Sequence, residues 1–215
     1  AQAFLMRVNL LTGDYAGAES MANTIMTEGK YAMPELSYEE SFFKANQYNS
    51  EVIFTTEHVK PGYSMWFGAY MSNGYGGWSS IVPTKDLVDA YETKNGLTTD
   101  EDPDFNPENP YVNRDPRLRA TILYPGQVYG IYTNGFRSLV KGDVDHGLTA
   151  NNATHTGFNF KKFYGNLAEY DDYWDAERNF PVLRYAEVLL SYAEAKIEQN
   201  EIDESVYDAI NQVRT

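Results

Sequence analysis

Sustained helical periodicity marks the two ends of this chain and fades between them. Near the start, Phe4, Leu5, Val8 and Leu11 make one apolar stripe, and Tyr15, Ala18, Met21, Ala22, Ile25 and Met26 make another. Steps of three and four residues predict helices over 1–12 and 14–29. The intervening Thr12-Gly13-Asp14-Tyr15 has the form of a tetratricopeptide turn: Gly13 permits a left-handed conformation, Tyr15 wedges between the helices and Ala18 lets them approach. At the other end, Val182, Leu183, Ala186, Leu189, Leu190, Ala193 and Ile197 repeat at the same steps. Pro181 suits the first turn of that helix, where a missing N–H costs nothing. Asn200 to Asp203 is a polar turn, after which Val206, Ile210 and Val213 resume the stripe.

The middle obeys other rules. Glu51 to Glu57 reads as a short strand, as do Leu118 to Tyr124 and Phe158 to Tyr164. Pro83 to Tyr91 predicts a short helix capped by Thr84, with Leu87, Val88 and Tyr91 on one face. Residues 61–80, 141–157 and 165–178 read as loops, and 100–116, acidic and carrying four prolines, as irregular. Loops this long are uncommon in compact domains and are often functional. The predicted fold class is therefore mainly α: tetratricopeptide-like helical hairpins with long irregular loops and a few short strands. The expected organisation is a single domain over 1–215, with repeat-type helices at 1–30 and 181–215 and a loop-rich, ligand-facing region at 31–180. A helical pattern already running at Ala1 and still running at Thr215 reads as a fragment of a longer protein.

Charge narrows the partners. The 31 acidic and 17 basic residues leave a net charge of −14, which repels nucleic-acid phosphates and anionic lipid. With no cysteine, disulfides, thiolate metal sites and cysteine nucleophiles are excluded. The 18 tyrosines stand out, because a Tyr ring has an apolar body and a polar tip suited to half-wet recognition surfaces. Aromatic abundance on an acidic chain points to a neutral ligand with flat apolar faces, and carbohydrate fits.

The candidate binding residues lie in two loops. Trp66, Tyr70, Tyr75 and Trp78 stand among glycines in 61–80, and Tyr173 and Trp174 sit beside Asp171, Asp172 and Asp175. Two readings are open for them: platforms on which sugar rings stack, with carboxylates accepting hydroxyl hydrogens, or anchors that pin the loops to the body. Arg114, Asp115 and Arg117 read as a structural lock, because a guanidinium forks onto carboxylates and carbonyls. Arg184 and Glu187 pair or brace a neighbour. Asp102, Asp104 and Asn106 have the opening spacing of an EF-hand, but Pro107 and Asn113 stand where it needs Gly and Glu. His146 and His155 lack ligand spacing. No metal, cofactor or catalytic residue is assigned.

The Asp14-Tyr15 hairpin, SEVIF at 50–54, PTKDLVDAY at 83–91 with Asn95-Gly96, NRDPRL at 113–118, GFNFKKF at 157–163, FPVLRYAEVLLSYAEA at 180–195 and INQVR at 210–214 occur in this order along the chain. Together they resemble the SusD/RagB family of outer-membrane nutrient-binding lipoproteins. The family's lipoprotein signal, lipid-bearing Cys and first helical section have no counterpart in these residues. The resemblance implies a non-enzymatic protein on the extracellular face of the outer membrane. It would capture oligosaccharide or polysaccharide on a loop-built face and pass it to a SusC-like TonB-dependent transporter. Membrane attachment would be only through a lipid anchor lying outside this chain. Two other functions stay open: a repeat-type protein-interaction scaffold without a sugar ligand, and a glycoside hydrolase, although no motif selects its two carboxylates.

Overall fold

Gly13 takes φ 77° and ends the first helix, as a residue without a Cβ can do cheaply. Asp14 then starts the second by accepting the Gly17 N–H at 3.0 Å. The computed structural model describes residues 1–214 and is mainly helical. It divides into two compact units. One comprises Ala1–Leu36, Asn46–Glu57 and the chain from Asn179 onward; the other comprises Ser37–Ala45 and His58–Arg178.

The first unit holds α1 (Gln2–Thr12), α2 (Tyr15–Thr27), β1 (Val52–Thr56), β4 (Phe180–Arg184), α6 (Tyr185–Glu198) and α7 (Glu204–Arg214). Its core gathers Met6, Ala22, Ile25, Leu183, Val188, Leu189 and Val206. Met6, Ala22, Val188 and Leu189 are wholly buried, and each large side chain among them contributes roughly 1.5–3 kcal/mol. The second apolar stripe faces this core as expected, with Ala18, Ala22 and Ile25 buried. The first does not. Phe4, Leu5, Val8 and Leu11 are exposed, Leu11 by 81%, and α1 packs instead through Ala3 and Met6. Small and flexible residues allow the closer helix approach, whereas periodicity alone does not say which face meets a partner.

The residues around Pro181 also depart from expectation. Phe180–Arg184 is a strand, antiparallel to β1, with Thr55 opposite Pro181, and the helix starts only at Tyr185. The partner strand lies far away in sequence, so no local pattern announces it. Two ion pairs brace this region. Arg184 donates to both oxygens of the buried Glu51 at 2.9 and 3.0 Å. Arg7 forks onto Glu187 with two 2.7 Å bonds. Arg184 and Glu187 thus brace neighbours rather than each other.

The second unit holds α3 (Phe67–Tyr70), α4 (Lys85–Asp89), α5 (Pro116–Thr121), β2 (Ile122–Leu123) and β3 (Asn159–Phe160). The strand expected over 118–124 is mostly helix. Asp115 caps α5 by accepting the Arg117 N–H at 2.8 Å, and Pro116 follows it, leaving only Ile122–Leu123 to pair with β3. The strand expected over 158–164 likewise shortens to two residues. Thr84 caps α4 as expected, but Leu87 points to solvent and only Val88 is buried. Among the described residues no helix is long and apolar enough to cross a membrane.

Candidate carbohydrate-binding site

Two loops with almost no regular structure are zipped together by backbone bonds. Met65 and Ala176 exchange N–H···O=C bonds of 2.8 and 3.1 Å, and the Gly68 N–H donates to the Tyr173 carbonyl at 2.9 Å. The loop carrying Trp66 and Trp78 is thereby held against the one carrying Trp174. Trp78 is tied in by its own N–H, which donates to the Gly68 carbonyl at 2.8 Å. On the other side, Asp172 accepts the Trp174 N–H at 2.8 Å and shapes the turn that presents the indole.

The outcome is an open cleft of about 450 Å³ lined by Gly62, Ser64, Trp66, Trp78, Trp174 and Asp175. Trp78 and Trp174 form its corner, with ring centroids 4.6 Å apart and planes inclined at 59°. Trp66 and Trp78 remain 61% and 52% exposed, a large apolar area for a soluble surface to leave open. The buried Ser64 hydroxyl oxygen has no hydrogen-bond partner among the described residues. A buried polar atom without a partner is costly, and this one is closed off from solvent beneath the cleft lining.

The three candidate tyrosines are placed differently, beside the cleft in packed aromatic clusters. Tyr70 packs with Phe67, Met71, Tyr164 and Tyr170, and its carbonyl accepts from the Asn159 amide at 3.3 Å. Tyr75 meets Tyr132 and Tyr173 edge-on, at 5.4 and 6.4 Å, and its hydroxyl accepts the Ile131 N–H at 2.9 Å. Burial raises the Tyr75 pKa above that of an ordinary phenol. The turn that bears Tyr75 is held from beneath by Asp145, which accepts the Gly74 N–H at 2.9 Å. Desolvation raises the pKa of this wholly buried carboxyl.

The family pattern described as SusD family matches residues 38–215. The chain belongs to the SusD family. A SusD-like carbohydrate binding protein from Bacteroides fragilis is 29% identical, with a TM-score of 0.84; the alignment covers 100% of this chain and 44% of that one. A second SusD-like protein from B. fragilis is 25% identical at a TM-score of 0.78, over 99% of this chain and 45% of that one. A SusD superfamily protein from Bacteroides vulgatus shares the fold at 19% identity and a TM-score of 0.70, over 99% and 41% of the two chains. This chain thus spans less than half the length of these relatives. Among curated proteins none matches it.

Within this SusD-family chain the arginine-rich segment is structural. The Arg114 guanidinium donates to the carbonyls of Pro110, Val88 and Tyr91 at 2.9, 2.8 and 2.6 Å, locking α4 to the turn before α5. The Asp102 carboxylate accepts from the Asn95 amide at 3.1 Å and from the Asp104 N–H at 2.8 Å, closing the acidic turn on itself. Ser64 and Gly62 escape sequence reasoning as cleft residues. Neither carries a local signal, since a Ser near a Trp is unremarkable until folding buries its hydroxyl. Asp175 does carry one, in its contact with the Tyr173-Trp174 run.

Proposed function

We propose that this chain captures oligosaccharide at the cell surface and delivers it to a SusC-like TonB-dependent outer-membrane transporter. The observation that carries this reading is the convergence of three indoles on one open cleft in a SusD-family chain. The B. fragilis relative described as a carbohydrate binding protein supports it. Indole faces stack on the C–H faces of a pyranose, while the Asp175 carboxylate in the same lining can accept hydrogen bonds from its hydroxyls. In this reading Tyr70, Tyr75 and Tyr173 act as supports that hold the cleft from behind, and Trp66, Trp78 and Trp174 touch the sugar.

The expected mode is binding without turnover. Glycoside hydrolysis uses two carboxyl groups about 5–10 Å apart, and the cleft lining includes one, Asp175. A few stacking contacts with a well-hydrated sugar correspond to Kd values of about micromolar to millimolar, which suits a protein that must release its cargo. The protein would sit on the extracellular face of the outer membrane, held by a lipid anchor. Tryptophan-fluorescence titration against a panel of oligosaccharides tests the reading. A saturable shift with intact sugar, lost in Trp78→Ala or Trp174→Ala, is expected. Sugar cleavage, or no shift across a broad panel, would overturn it.

A further inference from the structure

Given the capture role proposed above, on which this inference rests, the charge of the same cleft narrows its ligand. Asp175 is its one ionisable lining residue, and no lysine or arginine lines it among the described residues. The surrounding loop adds Asp171, Asp172 and Glu177. The Lys60 ammonium is engaged directly by Asp171 and is also attracted by Asp175 and Glu177, and Lys44 pairs with Glu177 at 3.5 Å, so these four carboxylates outnumber the two ammoniums. The field inside the cleft is therefore negative, and low-dielectric indole walls concentrate it. Indole faces also attract cations through their negative quadrupole, more strongly than the rings of Phe or Tyr.

We propose that the cleft prefers a sugar unit bearing a protonated amine, an unacetylated hexosamine, over neutral sugars, and rejects uronic acids, with Asp175 as the specificity-determining residue. An ammonium placed at the corner made by Trp78 and Trp174 would meet two indoles within a cleft that Asp175 also lines. A uronate carboxylate in the same place meets like charge and no cationic donor in the cleft lining. The acetamido form of the same hexosamine keeps the stacking but loses the charge.

The experiment is a fluorescence titration of the whole chain with three probes of equal length: β1,4-linked glucosamine tetramer, its fully N-acetylated counterpart and galacturonate tetramer. It is run where the sugar amine is protonated and again where it is not. The glucosamine tetramer should bind about three- to thirtyfold tighter than the acetylated one, the range that cation–π attraction spans. The ratio should collapse in Asp175→Asn, at high salt and on deprotonation, and survive in Asp175→Glu. Equal affinity for the amine and acetamide forms, tighter binding of galacturonate, or a preference unchanged in Asp175→Asn would overturn the proposal. So would binding of neutral glycans with none of the glucosamine tetramer, and in all these cases the capture role would stand. Failure of every glycan in a broad panel would overturn the capture role as well.

Discussion

Trp174 lies directly against Gly68: a Cβ added to Gly68 would sit 2.2 Å from Cε2 of the indole. Gly68 is buried on α3, and its N–H and C=O bond to Tyr173 and Trp78. One residue without a side chain therefore sets the spacing between two of the three cleft tryptophans.

Gly68→Ala tests that dependence. The new methyl group would overlap the Trp174 ring itself, so the indole must shift from its place in the cleft. Overpacking of this kind costs about 1–3 kcal/mol. The expected result is a lower urea midpoint together with a red-shifted tryptophan emission and weakened sugar binding. Wild-type emission and affinity in this variant would show that the indole is not held by that contact.

Tyr75→Phe separates support from contact. The change removes the hydroxyl that accepts the Ile131 N–H and keeps the ring that meets Tyr132 and Tyr173. A lost hydrogen bond of this kind costs about 1 kcal/mol. Stability should fall by that amount in chemical denaturation while sugar affinity stays at the wild-type value. A large loss of affinity at unchanged stability would place Tyr75 in direct contact with ligand.

Legibility in the amino-acid pattern tracks the range of the forces involved. The α1–α2 turn is legible because Gly13 and Asp14 act within four residues of themselves. The α6 helix is legible from its stripe, but β4 is not, because Pro181 sits in a strand only by virtue of Thr55 opposite. The stripe of Phe4, Leu5, Val8 and Leu11 names a helix and misnames its buried face. At the site, Trp66, Trp78 and Trp174 are visible as aromatics in Gly-rich or acidic loops. Their convergence depends on the Met65–Ala176 bridge, which joins positions far apart in the chain and leaves no local trace. Tyr70, Tyr75 and Tyr173 carry the same sequence signal as the tryptophans, and only the fold separates them.

Glu51 and Arg184 offer a test of the β1–β4 pairing. The Glu51 side chain is 2% exposed and Arg184 27%, so removing the carboxylate takes two charge-assisted hydrogen bonds from a partly buried guanidinium. Glu51→Ala should destabilise by about 3 kcal/mol, the lower end of the range for breaking a buried pair. Combining it with Arg184→Met should restore part of the loss, because the partly buried charge that Glu51 balanced is then gone. Denaturant titration of the two single variants and the double one measures the coupling, and simple additivity would mean the pair contributes nothing specific.

The α6–α7 hairpin should lose stability in acid through one carboxylate. Lys196 donates to Asp203 at 2.6 Å, and Ser205 donates to the same carboxylate through both its N–H and its hydroxyl. These bonds, that from Lys196 foremost, lower the Asp203 pKa from 3.8 to about 2. A carboxyl whose folded pKa is depressed stabilises the fold fully above its unfolded value and loses that contribution as pH falls through the folded one. The contribution should therefore be complete above about pH 4 and disappear toward pH 2. Thermal melts followed by circular dichroism over that window should show the wild type losing its advantage over Asp203→Asn as the pH drops. A constant difference between the two proteins across the window would mean that Asp203 does not change protonation on unfolding, and that the ion pair is not what holds the hairpin.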